Sequence, residues 1–538
     1  MQLSDVTPVI SLDRTPHLVS WSKSRRFGRV AAVFVVLWTL ALGTSSLIYP
    51  FGRDQGEYAT IAWRAINGQT IYSDIFNIKP PLTHLVHALA LQMFGHSMLA
   101  IRWLDLLWQT ATAVTVFYVA NRLSQDRLVG ALAGSLYALW YYGYGYWDTA
   151  QTDGWLTLPA ALGVLAFLVA EEQGATWAYF ASGVLVGSAV LFKYPIGLLA
   201  LLFMGLLLWQ RKPLHRVVVI GVGLSVPVVL CGLSLARQGA LQDYIITQIK
   251  YVTQYTGGHT EQGYVLSLVY NVLRFSWHNA NFKLSVALFV LAGLYALTRD
   301  EGRRALPILL WWSAAAASLI LQNKFYLYHE LPLLAPQAVL AALLVFKLLA
   351  MAKESVMLRA MIVGVVIGCL LVSYFLLGYP SKHATLLQVA RGTPLETVYQ
   401  SSDYGAYGNG FYSMQADLEV ARYVETHSHP DDQIVIWGHQ APIYFLSQRS
   451  PASRFIYNMT LYGDWAWPEL REQFVSDLQR SQPLYIVIVR DDAIPWVTGT
   501  RDDSATAFVN FDRFYQFVTA HYQAETVIEN FTLYRRHE

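Results

Sequence analysis

"LTHLVHALALQMFG", residues 82–95, decides the topology of this chain. The stretch is apolar, but it has 14 residues and carries His84 and His87. A helix needs about 20 residues to cross the hydrocarbon core of a bilayer. The stretch therefore reads as an amphipathic helix lying at the interface. Without it, eleven candidate spans remain: 30–49, 98–120, 128–147, 154–170, 177–193, 195–210, 217–236, 281–298, 305–321, 331–350 and 359–379. The basic tail with Lys23, Arg25, Arg26 and Arg29 precedes the first span and no small-residue cleavage site follows it. That is the pattern of an uncleaved signal anchor with a cytoplasmic N-terminus. Counting forward, the inner loops hold Arg122 and Arg127, then Arg211, Lys212 and Arg216, then Arg299, Arg303 and Arg304, then Lys353 and Arg359. Only the loop at Glu171 and Glu172 lacks Lys and Arg. Basic loops stay inside. Were 82–95 a span, every later loop would flip. The count is odd, and residues from 380 onward are expected outside.

Composition agrees. Of 538 residues, 54% are hydrophobic and 14% charged, with 17 Trp and 33 Tyr; the mean hydropathy is +0.34. Soluble domains carry about 25% charged residues, so this is an integral membrane protein with aromatic belts. A net charge of +2 gives no basic field for nucleic acid. Cys231 and Cys369 lie in apolar runs and read as packing residues, neither a disulfide nor a metal site. The tail 380–538 turns polar. "MQADLEVARYVETHS" (414–428) has helical apolar spacing, "DQIVIWG" (432–438) and "LYIVIVR" (484–490) read as buried strands, and "ETVIENFTLYRR" (525–536) as an edge strand. The chain thus divides into a membrane domain, 1–379, and a small α/β domain in three layers, 380–538.

Three outer stretches gather charge: 50–97, "WDTAQTD" (147–153) and "QNKFYLYHE" (322–330). The loop 237–280 is a fourth outer element. Asp54 and Glu57 are three apart and share one helix face. Asp153 comes from a second loop, and Lys324 and His329 add positive or switchable charge from a third. Lys79 precedes Pro80-Pro81, which stiffen the chain before the interfacial helix. Each residue also has a plainer role. Asp54 and Asp153 would serve as helix caps, Lys79 as a snorkelling anchor, His84 and His87 as packing groups, Lys324 and His329 as belt residues. Arg102 and Asp105 are expected to neutralise one another. Together the outer groups suit a reaction in which a hydroxyl loses a proton to a carboxylate and a phosphate leaves against Lys or Arg. A sugar on a lipid phosphate would bring that anion to the interface.

"RDQGEYATIAWRAINGQTIYSDIFNIKPPLTHLVHALALQMFG" (53–95) also resembles the first outer loop of bacterial polyprenyl-phosphate-sugar glycosyltransferases. These are the protein O-mannosyltransferase-like group, whose clan includes the lipid A aminoarabinose transferases. The shared marks are Asp54 with Glu57 and Tyr58, Gly68, Tyr72 with Asp74, and Lys79-Pro80-Pro81. "TDGWLTLPAALG" (152–163) resembles the second acidic loop, with Asp153 in place. "NKFYLYHELPLLAP" (323–336) resembles a late motif of basic residue, aromatics, His and Pro. "HPDDQIVIWGHQAPIYFLSQRSPASRFIY" (429–457) resembles the outer C-terminal domain. The resemblance implies a GT-C fold, a lipid-phosphate-linked sugar donor and an inverting transfer. It implies catalytic roles for Asp54 and Asp153, with Glu57 beside them, and a phosphate contact for Lys79; Lys324, His329, Tyr326 and Tyr58 complete the substrate-binding candidates. Gln55 and Gly56 spread the acidic pair, and Glu330 follows His329 where the family favours apolar residues. No metal is required, although Asp54, Glu57 and Asp153 are a conceivable ligand set. The expected partners are the lipid-linked donor, an acceptor hydroxyl on a glycolipid, polysaccharide or protein, and the bilayer of a bacterial inner membrane.

Two rival readings remain open. In a transporter or flippase of lipid-linked sugars, Arg102 and Asp105 would line a path; but the helices lack Gly/Pro-broken pairs in matching halves. In a non-catalytic relative, the chain would bind lipid-linked sugars and scaffold partners; the intact Asp54, Asp153 and Lys79 argue against it.

Overall fold

The computed structural model describes residues 25–252, 264–401 and 412–537. All eleven expected spans are helical. The N-terminal half runs α1 (Arg25–Gly43), α2 (Arg53–Ile66), α3 (Pro81–Phe94), α4 (Met98–Ser124), α5 (Arg127–Tyr141), α6 (Thr152–Gln173), α7 (Thr176–Val190), α8 (Leu198–Trp209) and α9 (Leu214–Arg237). The later spans correspond to Ala280–Thr298, Leu306–Ile320, Leu331–Met351 and Val356–Leu376. Six stretches are long and apolar enough to cross a membrane alone: Gly28–Ile48, Thr152–Gln173, Leu214–Arg237, Ala280–Thr298, Leu327–Met351 and Val356–Leu376. Val356–Leu376 has no buried residue. An apolar helix with no protein cover needs lipid as its solvent, which makes this a multi-pass membrane protein. Lys23 lies outside the described residues.

Residues 82–95 do not run on into the next span. Gly95 ends α3 at φ +86, Ser97 caps α4 by accepting the Ala100 amide at 3.2 Å, and the two helices meet at 109°. A 14-residue helix at right angles to a 27-residue one fits a segment lying along the interface. The loop 237–280 is more ordered than its polar composition suggests. It holds Tyr264–His278, which exposes Val265, Leu273 and Trp277, the profile of an interfacial helix; its Tyr- and Gln-rich centre, 253–263, lies outside the described residues.

One packing device escaped the sequence reading. Gly183 and Gly187 stand on one face of α7 against α9. A Cβ on Gly183 would lie 2.2 Å from the Ile220 carbonyl oxygen, and one on Gly187 2.4 Å from that of Leu224. From the other side, a Cβ on Gly223 would meet the Phe180 carbonyl at 2.3 Å. Small residues four apart let backbones touch where lipid supplies no hydrophobic drive between helices.

Beyond the last span, five strands form a sheet in the order β2-β1-β3-β5-β4: β1 (Gln433–Trp437), β2 (Ser450–Pro451), β3 (Tyr485–Val489), β4 (Tyr522–Ile528) and β5 (Phe531–Arg536). β1 pairs in parallel with β2 and β3, and β5 runs antiparallel between β3 and β4. The stretch 525–536 is therefore not one edge strand. Glu529, at φ +51, turns it into a hairpin whose second arm lies inside the sheet. Side chains alternate along a strand, and Tyr485 and Trp437 fall on opposite faces in this register. Tyr423 of helix Met414–Thr426 packs on Tyr485, whereas Phe474 and Phe514, from Pro468–Ser481 and Asp512–His521, pack on Trp437. Helices thus cover both faces.

Candidate active site

The site begins at the first turn of α2. Gln55 is fully buried; its Oε1 accepts the Gly52 amide at 3.0 Å, and its Nε2 faces the carbonyls of Tyr146, Trp147 and Thr149 at 3.1, 3.0 and 2.8 Å. It thereby clasps the start of α2 to the loop 142–151 between α5 and α6. Gly56 lets α2 close on the C-terminal helix Pro442–Ser447, since a Cβ there would lie 2.3 Å from Pro442 Cγ. The two residues that separate the acidic pair are thus the two that seat the helix. α2 starts at Arg53 after Gly52, so Asp54 is no cap. It sits half-buried in the first turn, where a negative charge suits the helix dipole, with Glu57 one turn on.

Glu57 accepts a hydrogen bond from Asn77 Nδ2. Burial pushes its carboxyl up to about 8, with the Asp54 charge adding to the rise and Lys79 and Asn77 opposing it. Near neutral pH Glu57 holds its proton. Lys79 is fixed through its backbone: its amide donates to Asn77 Oδ1 at 2.8 Å, and the Tyr72 hydroxyl donates to its carbonyl at 2.7 Å. Its ammonium lies over the Tyr58 ring, 5.8 Å from the centroid. Tyr58 in turn rests on His84 and His87, with centroids at 5.9 and 5.4 Å. Both histidines are fully buried, packing groups of the protein interior and not of the membrane interface.

Asp153 lies in the first turn of α6, after Gln151, and is no cap either. Its Oδ2 accepts from Lys193 Nζ at 2.5 Å, with Asp153 1% and Lys193 10% exposed in their side chains. Lys193 is the residue the sequence reading passed over. It lay at the seam between two apolar stretches, yet "FKYP" (192–195) was a signal: a lysine before proline where the chain leaves one helix and enters the next. Burial pulls it down to about 8, with Asp153 holding it up.

The segment 322–330 closes the cluster. Asn323 and Phe325 both adopt φ +52, a region costly for a bulky residue and commonest at functional sites. His329 is buried. Tyr326 packs on His329 with centroids at 5.1 Å. Lys324 turns toward the C-terminal region, donating to the Trp496 carbonyl at 3.2 Å; burial lowers it to about 8 and Asp464 opposes the fall. Glu330 accepts from the Tyr144 hydroxyl and from Asn279 Nδ2, the latter at 2.9 Å. Asp148, in the α5–α6 loop but not singled out from sequence, is pushed up to about 7 by burial, then by Glu330 and Asp54.

Arg102 and Asp105 do not neutralise one another directly. Arg102 binds the carbonyls of Pro50, Tyr146 and Thr149, tying the α1–α2 and α5–α6 loops together, while Asp105 accepts from Tyr141, Trp155 and Gln109. Among the described residues no three His, Cys, Asp or Glu side chains are grouped closely enough to hold a metal ion. Asp54, Glu57 and Asp153 are not a ligand set in this arrangement. What converges, within electrostatic reach, is the set Asp54, Glu57 and Asp148 with Lys79, Lys193 and His329.

Comparison with known proteins agrees with the resemblance seen in residues 53–95. The dolichyl-phosphate-mannose-protein mannosyltransferase family matches residues 78–234, a segment that includes Lys79, Asp153 and Lys193 and begins beyond Asp54. An undecaprenyl phosphate-alpha-4-amino-4-deoxy-L-arabinose arabinosyl transferase of Sodalis glossinidius is 27% identical over 178 residues, 31% of either chain. A polyprenol-phosphate-mannose–protein mannosyltransferase of Mycobacterium tuberculosis is 25% identical over 178 residues, 28% of this chain and 34% of that one. The chain thus spans about a third of the length of these curated relatives. The structure of ArnT from Cupriavidus metallidurans bound to undecaprenyl phosphate superposes with a TM-score of 0.56 at 16% identity, covering 95% of this chain and 98% of that one. The chain therefore has the GT-C membrane fold.

Proposed function

We propose that this chain is an inverting glycosyltransferase that moves one sugar from a polyprenyl-phosphate carrier to an acceptor hydroxyl. The observation that carries the reading is the meeting of five separate segments. Asp54 and Glu57 on α2, Lys79 before α3, Asp153 with Lys193, and His329 converge on one cluster. The related arabinosyl and mannosyl transferases support a lipid-phosphate donor. The acceptor oxygen attacks the anomeric carbon as the bond to the phosphate oxygen breaks. The electron pair leaves on the lipid phosphate, where Lys79 and Lys193 offset it. The acceptor proton passes to Asp54, because Glu57 already holds one. The reading needs no metal, since two lysines supply the positive charge. It places eleven spans in the inner membrane of a bacterium, the N-terminus in the cytoplasm, and the cluster and the C-terminal sheet outside.

The test is turnover by the purified chain in lipid nanodiscs, supplied with polyprenyl-phosphate sugars and candidate acceptors. Asp54→Asn should lower kcat by about 10²–10⁴, the usual contribution of a general base. Turnover equal to wild type would remove Asp54 from the chemistry. A donor moved across a sealed bilayer with no product formed would instead indicate a flippase.

A further inference from the structure

The residue before Asp54 points another way. Neighbours on an α-helix project about 100° apart, so while Asp54 belongs to the cluster, Arg53 turns to the C-terminal module. It is 8% exposed, and its guanidinium carbon lies 5.6 Å from the centroid of the Tyr412 ring. The fully buried side chains of Asp417, on helix Met414–Thr426, and of Asp492, just past β3, lie within electrostatic reach of it. Asp492 is itself held by the Ser504 amide and hydroxyl, both at 2.7 Å. The Tyr412 hydroxyl donates to the Phe51 carbonyl at 3.1 Å, so the same patch grips the backbone just ahead of α2. A cation in the first turn opposes the helix dipole, and a charge this deep is costly unless anions meet it. Arg53 therefore does nothing for the stability of α2 as a helix. Its placement makes sense as an attachment.

We propose that Arg53 is a positioning residue, which locks the first turn of α2 between Tyr412, Asp417 and Asp492 of the C-terminal module and so aims Asp54. The module is then part of the catalytic unit. Its remaining contacts agree. Thr60 donates to the Ala441 carbonyl at 3.0 Å, Arg64 to Ser450 Oγ at 2.7 Å, and the Phe76 amide to the Arg454 carbonyl at 2.9 Å. The buried Tyr457 ring of the module lies close to Glu57 and Asp54.

This inference rests on the glycosyl-transfer reading, and one experiment separates the two. Initial rates against donor concentration are measured in nanodiscs for wild type, Arg53→Lys, Arg53→Met and Asp417→Asn. Arg53→Met and Asp417→Asn should lower kcat about 100-fold, the scale of a 1 Å misplacement. Donor KM should stay within about threefold, because the donor's phosphate contacts are untouched. Arg53→Lys should fall between wild type and Arg53→Met. Should Arg53→Met not fold, the isosteric Asp417→Asn carries the same outcomes. Wild-type turnover with unchanged kcat in the variants overturns the inference alone. So does a KM that rises in step with the loss of kcat, or a lysine variant no better than methionine. A wild-type chain that consumes no donor overturns the transfer reading and this inference with it.

Discussion

At the scale of single residues, the buried pair Lys193–Asp153 and the protonated Glu57 make the sharpest demands. Asp153 has 1% of its side chain exposed. Removing the lysine leaves a buried carboxylate alone, which costs about 3–5 kcal/mol. Lys193→Met should therefore lower the thermal midpoint of the purified chain. The double variant with Asp153→Asn should recover that stability without recovering turnover; recovery of both would make the pair purely structural. Glu57 gives a pH dependence. Its carboxyl is raised from 4.5 to about 8, so between those values the folded chain holds a proton that the unfolded chain has released. The stability it contributes is complete below the lower value and lost as pH rises through the upper one. The midpoint of wild type should therefore fall more steeply than that of Glu57→Gln as the pH is raised from 4.5 to about 8, and run parallel to it above. Parallel curves throughout would show that Glu57 is ionised in the folded protein.

At the scale of elements, two close approaches decide where helices sit. Gly56→Ala places a methyl group 2.3 Å from Pro442 Cγ. Either α2 or the Pro442–Ser447 helix must move, at about 1–3 kcal/mol by the usual cost of overpacking. Turnover should fall as well, since Asp54 rides on α2. Gly183→Leu pushes a side chain into the backbone of α9, and a lower melting temperature with turnover falling in proportion to folded protein is expected. A Gly183→Leu chain as stable as wild type would mean that α7 and α9 do not touch in the membrane. Much of this level was open to the sequence. Eleven apolar runs became helices because length and composition suffice to make a helix in lipid. The 82–95 stretch was set apart by its length, and Gly95 supplies the break. The Gly183/Gly187 contact went unread because two glycines in an apolar run look the same whether they face lipid or a neighbour.

At the scale of the whole molecule, the C-terminal module and the loop 50–97 form one construction. α2, Phe76, Lys324 and His96 all bond to it, the last with Nε2 2.8 Å from the Phe445 carbonyl. A chain ending at residue 391 should insert in the membrane but lose donor turnover, whereas a freely hinged outer domain would leave the rate near wild type. By itself the sequence determined the class of molecule, its helices, two buried strands beyond them and where its acidic and basic segments fall. Hydropathy, period and charge are local properties, summed over neighbours in the chain. Only the tertiary structure decided which charges meet. It paired Asp153 with Lys193, buried His329 against Tyr326, set Glu57 against Asn77 and sent Arg53 into the C-terminal module. Each of these depends on burial and on partners up to hundreds of residues away, and the cost of burying a charge is settled by what lies beside it in space.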